Sequence, residues 1–202
     1  MTTYAWPEGR EWLPRAMSLM LEPNVRSFVS PYTKSSQMID LLGEAWVMTI
    51  TLGERKHAAG AAREAFLAKL RGGVHTVNLW HFRRPTPRGT LRGALTLAAQ
   101  AAQGAQTLSV TGGAGQANRT LLAGDMLGLA GQLLMVSQDC QANGSGVISV
   151  PLANRVRSTQ PATTAVSWDR PVSQFRLVSP VPVGYRPGAT DDIELEWREH
   201  WA

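Results

Sequence analysis

The run from Gly124 to Val150 leaves room for short strands and little else. It reads Gly124-Asp125-Met126-Leu127-Gly128-Leu129-Ala130-Gly131-Gln132-Leu133-Leu134-Met135-Val136, then Asn143-Gly144-Ser145-Gly146-Val147-Ile148-Ser149-Val150. Glycines this closely spaced destabilise any helix, and each one marks a turn or a close approach of backbones. Gly128-Leu129-Ala130-Gly131-Gln132 predicts a tight hairpin. Residues 95–97, 107–110, 125–129, 132–137 and 147–150 predict short strands at roughly ten-residue spacing, the pattern of a compact barrel or sandwich.

Two similar segments bracket this region. Trp80-His81-Phe82-Arg83-Arg84-Pro85 precedes it and Trp168-Asp169-Arg170-Pro171 follows it, each placing a Trp shortly before an Arg-Pro step. The layout predicts a small β module of residues 89–167 inserted into a discontinuous domain of residues 1–88 plus 168–202. Outside the insertion, Trp46, Met48, Ile50 and Leu52 alternate with Val47, Thr49 and Thr51, which predicts a half-buried strand. Ile193, Leu195 and Trp197 alternate with charged residues in the same way, and residues 172–178 and 181–185 also read as strands. Val25, Ser27 and Val29 alternate with Arg26 and Phe28, and residues 38–42 form a second run after the turn Pro31-Tyr32-Thr33-Lys34. The single predicted helix spans about residues 56–71, with Ala59, Ala62, Phe66 and Leu70 on its inner side, Arg63, Glu64, Lys69 and Arg71 elsewhere, and Gly72-Gly73 as its stop. Residues 1–22, with Trp6-Pro7 and Leu13-Pro14, predict an extended arm. The fold class is mainly β with one α-helix.

Composition narrows the function classes. An apolar fraction of 44% with 17% charged residues is that of a folded globular chain. The net charge of +5 is spread along the sequence, without aromatic interleaving or a recognition helix, so sequence-specific nucleic-acid binding is not expected. One cysteine, Cys140, excludes an intrachain disulfide and a cysteine-cluster metal site, and fits a reducing cytosol. No window approaches the length of an apolar membrane span, so no membrane insertion is expected, and no signal peptide is evident.

No catalytic set assembles. His75 and His81 stand six residues apart, roughly 20 Å on a strand and too far for one metal ion. Gly112-Gly113-Ala114-Gly115 lacks the Lys-Ser/Thr ending and the helix of a phosphate loop. Cys140 has no neighbouring base. Asp192, Glu194 and Glu196 form an exposed acidic row, with Asp191 and Glu199 nearby. No cofactor, metal site or enzymatic activity is expected. Trp6, Trp12 and Trp201 lie in terminal segments, where an exposed aromatic is costly unless it packs on a neighbour, so they are expected at a subunit interface together with Arg83 and Arg84.

The layout resembles the distal tail protein family of long-tailed, siphovirus-like bacteriophages. The resemblance rests on the N-terminal β domain with one helix, the inserted module with Leu122-Ala123-Gly124-Asp125-Met126-Leu127 and Gln132-Leu133-Leu134-Met135-Val136, and the return at Ser167-Trp168-Asp169-Arg170-Pro171-Val172-Ser173-Gln174-Phe175-Arg176-Leu177. It implies a tail-tube-like β-sandwich or barrel domain bearing a small β-barrel or sandwich. It also implies a virion protein of the tail tip, assembled in the host cytoplasm. Such a protein forms a homo-hexameric ring that joins the tail tube protein to the tail-tip hub or baseplate proteins. Genomic DNA passes through the ring without specific binding, Glu194 and Glu196 being assigned to the channel face, and the insertion projects outward, towards the host surface as a further expected partner. The alternatives are another tail subunit (tube, terminator or hub-associated) and a carbohydrate-binding β-sandwich.

Overall fold

The computed structural model describes residues 1–200. Its elements, in chain order, are β1 (Thr3–Ala5), β2 (Ala16–Glu22), β3 (Val25–Val29), β4 (Ser36–Asp40), β5 (Ala45–Leu52), α1 (His57–Lys69) and β6 (Thr76–Leu79). There follow β7 (Leu95–Leu97), β8 (Thr107–Thr111), β9 (Thr120–Leu121), β10 (Met126–Leu129), β11 (Gln132–Met135), β12 (Cys140–Gln141), β13 (Val147–Pro151) and β14 (Ala165–Ser167). The chain closes with β15 (Ser173–Leu177), β16 (Tyr185–Arg186), β17 (Ala189–Thr190) and β18 (Ile193–Glu199). The protein is mainly β with one α-helix, as the sequence predicts.

The chain divides into two compact units: residues 1–20, 46–85 and 170–202, and residues 21–45 with 86–169. Residues 86–169 thus fall between two stretches of the first unit, and the second unit also takes in residues 21–45. The β3–β4 hairpin, which the sequence placed in the first domain, groups with the insertion. The backbone N–H of Arg155 donates to Glu44, and its guanidinium pairs with Asp40 at the base of the hairpin.

In the first unit a six-stranded sheet runs in the order β1-β6-β15-β18-β5-β2. β18 and β5 set its register, pairing Ile193 with Leu52, Leu195 with Ile50 and Trp197 with Met48. All six of these side chains are buried, and the residues between them (Glu194 with Thr51, Glu196 with Thr49) take the opposite face. Helix α1 buries Gly60, Arg63 and Leu67. This corrects the predicted inner stripe: Ala62 is exposed, Ala59 and Phe66 are half-buried, and the arginine assigned outward points in. Gly60 is required there, because a Cβ at that position would stand 2.2 Å from Thr190 Cγ2. Residues 181–184 are not a strand. Pro180 and Pro182 remove two ladder donors, and only Tyr185–Arg186 pairs, with β17.

The second unit holds a six-stranded sheet in the order β11-β10-β14-β7-β8-β13. Its two outer strands meet end to end through the bridge Val136–Leu152 and the bond from Ala153 N–H to the Met135 carbonyl, so the sheet curls closed around one core. Leu97, Leu108, Val110, Leu127, Leu134 and Ile148 are at the centre of that core. Buried Asn154 fastens the seam, its Nδ2 donating to the Leu133 carbonyl and its Oδ1 accepting from Met135 N–H. The predicted β10–β11 hairpin turns on Ala130 (φ 48°) and Gly131 (φ 79°), two successive left-handed residues that match the twist of the strands.

Candidate assembly surfaces

Trp6 and Trp12 do not form an exposed arm. They are 4% and 6% exposed, and Trp6 Nε1 donates to the Trp12 carbonyl at 3.1 Å. The Trp6 ring meets Trp12, Phe66, Phe82 and Trp197 edge-on at centroid distances of 5.5–6.0 Å. It thus ties the sheet to helix α1 within one chain, so Trp6 and Trp12 are core residues and not members of an exposed arm. A tryptophan next to proline near a terminus is compatible with either fate, so sequence position alone misassigned it. Trp201 lies outside the described residues.

Beside this cluster the Arg63 guanidinium donates to the carbonyls of Gly53 (2.7 Å) and Glu11 (2.5 Å). Burial, then the neighbouring Arg55, lowers its pKa below the ordinary guanidinium value. It holds the loop of residues 9–12 against the end of β5.

The two arginines assigned to subunit contact are engaged within the chain. Arg83 Nη2 donates to the carbonyls of Pro14 (3.1 Å) and Arg15 (2.7 Å). The Arg84 backbone N–H donates to His81 Nδ1 at 3.0 Å, and its guanidinium lies against the same ring. Burial, then Arg84, lowers the pKa of His81 and keeps the imidazole neutral. The two Arg-Pro flanks meet at their backbones, where Arg170 N–H donates to the Pro85 carbonyl at 2.7 Å. Their tryptophans differ in use. Trp80 stacks on Phe82 at 4.7 Å, whereas Trp168 carries the Arg92 guanidinium over its ring and donates to the Gly93 carbonyl.

The acidic row is shorter than the sequence implied. Asp192 pairs with Arg15 and accepts the Glu54 N–H, while Glu199 turns inward to accept from Trp46 N–H and the Ser173 hydroxyl. Glu194 and Glu196 remain exposed on the outer face of the sheet. Arg198 continues their row and sits opposite Arg176 of β15, so this face is acidic at one end and basic at the other.

The largest exposed apolar feature is the β3–β4 hairpin, in which every strand residue is exposed. Its cross-strand pairs place Val25, Val29 and Met38 on one face and Phe28 and Ile39 on the other. Apolar side chains thus face solvent on both sides of a two-stranded ribbon. The alternation of residues 25–29 was legible in the sequence, but the absence of any cover was not.

Asp125, a strand end by sequence pattern, is a hydrogen-bonding centre of the second unit. Buried, it accepts the backbone N–H groups of Arg88, Gly89 and Leu122. Cys140 is half-buried, and burial pushes its thiol up to about 11. Among the described residues no group of three His, Cys, Asp or Glu side chains could hold a metal ion, and no helix is long and apolar enough to cross a membrane.

No protein-family model matches the chain, and none of the curated protein sequences matches it.

Proposed function

We propose that the protein is a non-enzymatic virion component, a ring-forming subunit of the distal tail that joins the tail tube to the tip hub around a channel for DNA. The observation that carries this reading is the β3–β4 hairpin, exposed at every strand residue and apolar on both faces. An isolated two-stranded ribbon is at best marginally stable in water, and apolar side chains on both its faces require cover that a second chain can supply. Head-to-tail contacts between identical subunits close into a ring when the rotation fits, and each subunit then buries two different surfaces.

The outer face of the first sheet suits a channel lining. Glu194 and Glu196 oppose phosphate, and Arg176 with Arg198 restores neutrality, so a polyanion meets little net attraction and can slide. Size-exclusion chromatography with light scattering, followed by negative-stain imaging of purified protein, tests the reading. Closed rings support it; a monodisperse monomer across micromolar concentrations overturns it.

A further inference from the structure

We infer that the tip of the β3–β4 hairpin of one copy seats in the aromatic cavity of the next, which rests on the ring reading above and names its contact. The tip carries Pro31 and Tyr32, and Tyr32 is 94% exposed. The cavity, about 260 Å³, is walled by Trp6, Leu13, Trp80 and Phe82 and carries Glu8 and Arg170 among its lining residues.

The match is one of size, chemistry and charge. A cavity this small lies below the usual range for drug-sized ligands and suits one or two side chains. Its aromatic walls offer edge-to-face partners to a tyrosine ring, and prolines dock on such walls with little entropy to lose. Exposed Arg170 can lie over the tyrosine ring face, and exposed Glu8 complements Lys34 of the tip. Two other concavities of the first unit fit less well. One, about 500 Å³, is lined by Arg10, Arg15 and Arg55 against a single carboxylate, Glu54, so its net positive charge opposes Lys34. The other, about 290 Å³, has aliphatic and proline walls around Val181 and Val183 and no aromatic ring.

Site-directed cross-linking decides the matter. Tyr32→Cys and Glu8→Cys replace exposed side chains, so folding is retained, and native Cys140, its thiol pushed up to about 11, stays silent. Treated with a short bis-maleimide, the double variant is expected to give a ladder of covalent oligomers up to ring size. An equimolar mixture of the two single variants should give heterodimers. In parallel, Tyr32→Ala should raise the concentration needed for half-assembly at least about tenfold.

Rings on the imaging grid without a Tyr32–Glu8 ladder overturn the seating and leave the ring reading standing. A ladder from Tyr32→Cys with Val183→Cys in its place overturns it in favour of the aliphatic groove. The absence of any assembly removes both readings together.

Discussion

Strand β18 and the β3–β4 hairpin carry the same kind of sequence signal and meet opposite fates. In β18 the apolar positions Ile193, Leu195 and Trp197 share one face, and all are buried against β5, β15 and the aromatic cluster. In the hairpin the apolar positions fall on both faces and none is buried. Alternation therefore reports that a strand is paired and not that its apolar side is covered by its own chain. On the ring reading proposed above, a second copy supplies the cover that this ribbon lacks within its own chain.

The comparison breaks most easily at its buried end. Trp197 is fully buried, so Trp197→Ala should cost about 3–5 kcal/mol and lower the thermal midpoint sharply. Phe28→Ser and Met38→Ser on the hairpin should move the stability of the isolated subunit by no more than about 0.5 kcal/mol while abolishing rings. Denaturant titration of dilute protein measures the first quantity, and negative-stain imaging the second. Equal destabilisation by both sets of substitutions would mean that the hairpin is covered within its own subunit.

Arg63 sharpens the contrast from the polar side. Arg63→Ala leaves the Gly53 and Glu11 carbonyls without their buried donors, an expected loss of about 3 kcal/mol. Arg55, which is partly exposed and also donates to backbone carbonyls, should cost less than about 1 kcal/mol when replaced by alanine. The difference, read from paired chemical denaturation curves, isolates burial from hydrogen-bond count.

How much of this was legible in the sequence follows from the range of the forces involved. The strands over residues 45–52 and 193–199, the single helix and the β10–β11 turn are set by neighbours a few residues away, and the sequence carried them. The fate of Trp6 depends on Phe66, Phe82 and Trp197, the last nearly two hundred residues distant, and proximity to a terminus gave no hint of it. Helical spacing puts Arg63 off the inner side, where a guanidinium is usually solvated, yet two carbonyls from separate segments make its burial tolerable. Glu199 falls by alternation on the buried face with Ile193, Leu195 and Trp197, where a carboxylate is unexpected, and the Ser173 hydroxyl with the Trp46 N–H makes its burial tolerable. Of the candidate site residues, Glu194 and Glu196 kept their expected exposure, whereas Trp6, Trp12, Arg83 and Arg84 are occupied within the chain.

A smaller effect is expected at Gly60. Alanine normally stabilises a helix over glycine by about 1 kcal/mol, but here the new methyl meets Thr190 Cγ2 at 2.2 Å. Thr190 cannot swing away cheaply, because its Oγ1 accepts the Arg55 N–H and lies 3.3 Å from the Arg55 carbonyl. Overpacking should therefore win, for a net loss of about 1 kcal/mol in Gly60→Ala. Gly131→Ala, in open space but at φ 79°, should lose a similar amount through backbone strain alone. Thermal melts of the two variants separate the mechanisms: adding Thr190→Ser rescues the first and not the second.

The gentlest lever is pH, and it acts only on the buried side of the comparison. His81 has a folded pKa below its unfolded value of about 6.5, through burial and then Arg84. His200 is lowered in the same direction, by burial and then Arg176. As pH falls below 6.5 the unfolded chain takes up these protons first, so it is favoured and stability declines through the window down to the folded pKa values. Above about 6.5 both states are neutral at these positions and stability is unaffected by them. Between pH 7.5 and 5.5 the thermal midpoint of the native protein should drop, and His81→Gln/His200→Gln should flatten that drop, since glutamine cannot bind the proton. The hairpin strands contain no histidine, so variants at Phe28 or Met38 should keep the native slope. A slope that changed with the hairpin variants would place a titrating group beneath a surface that this structure leaves bare.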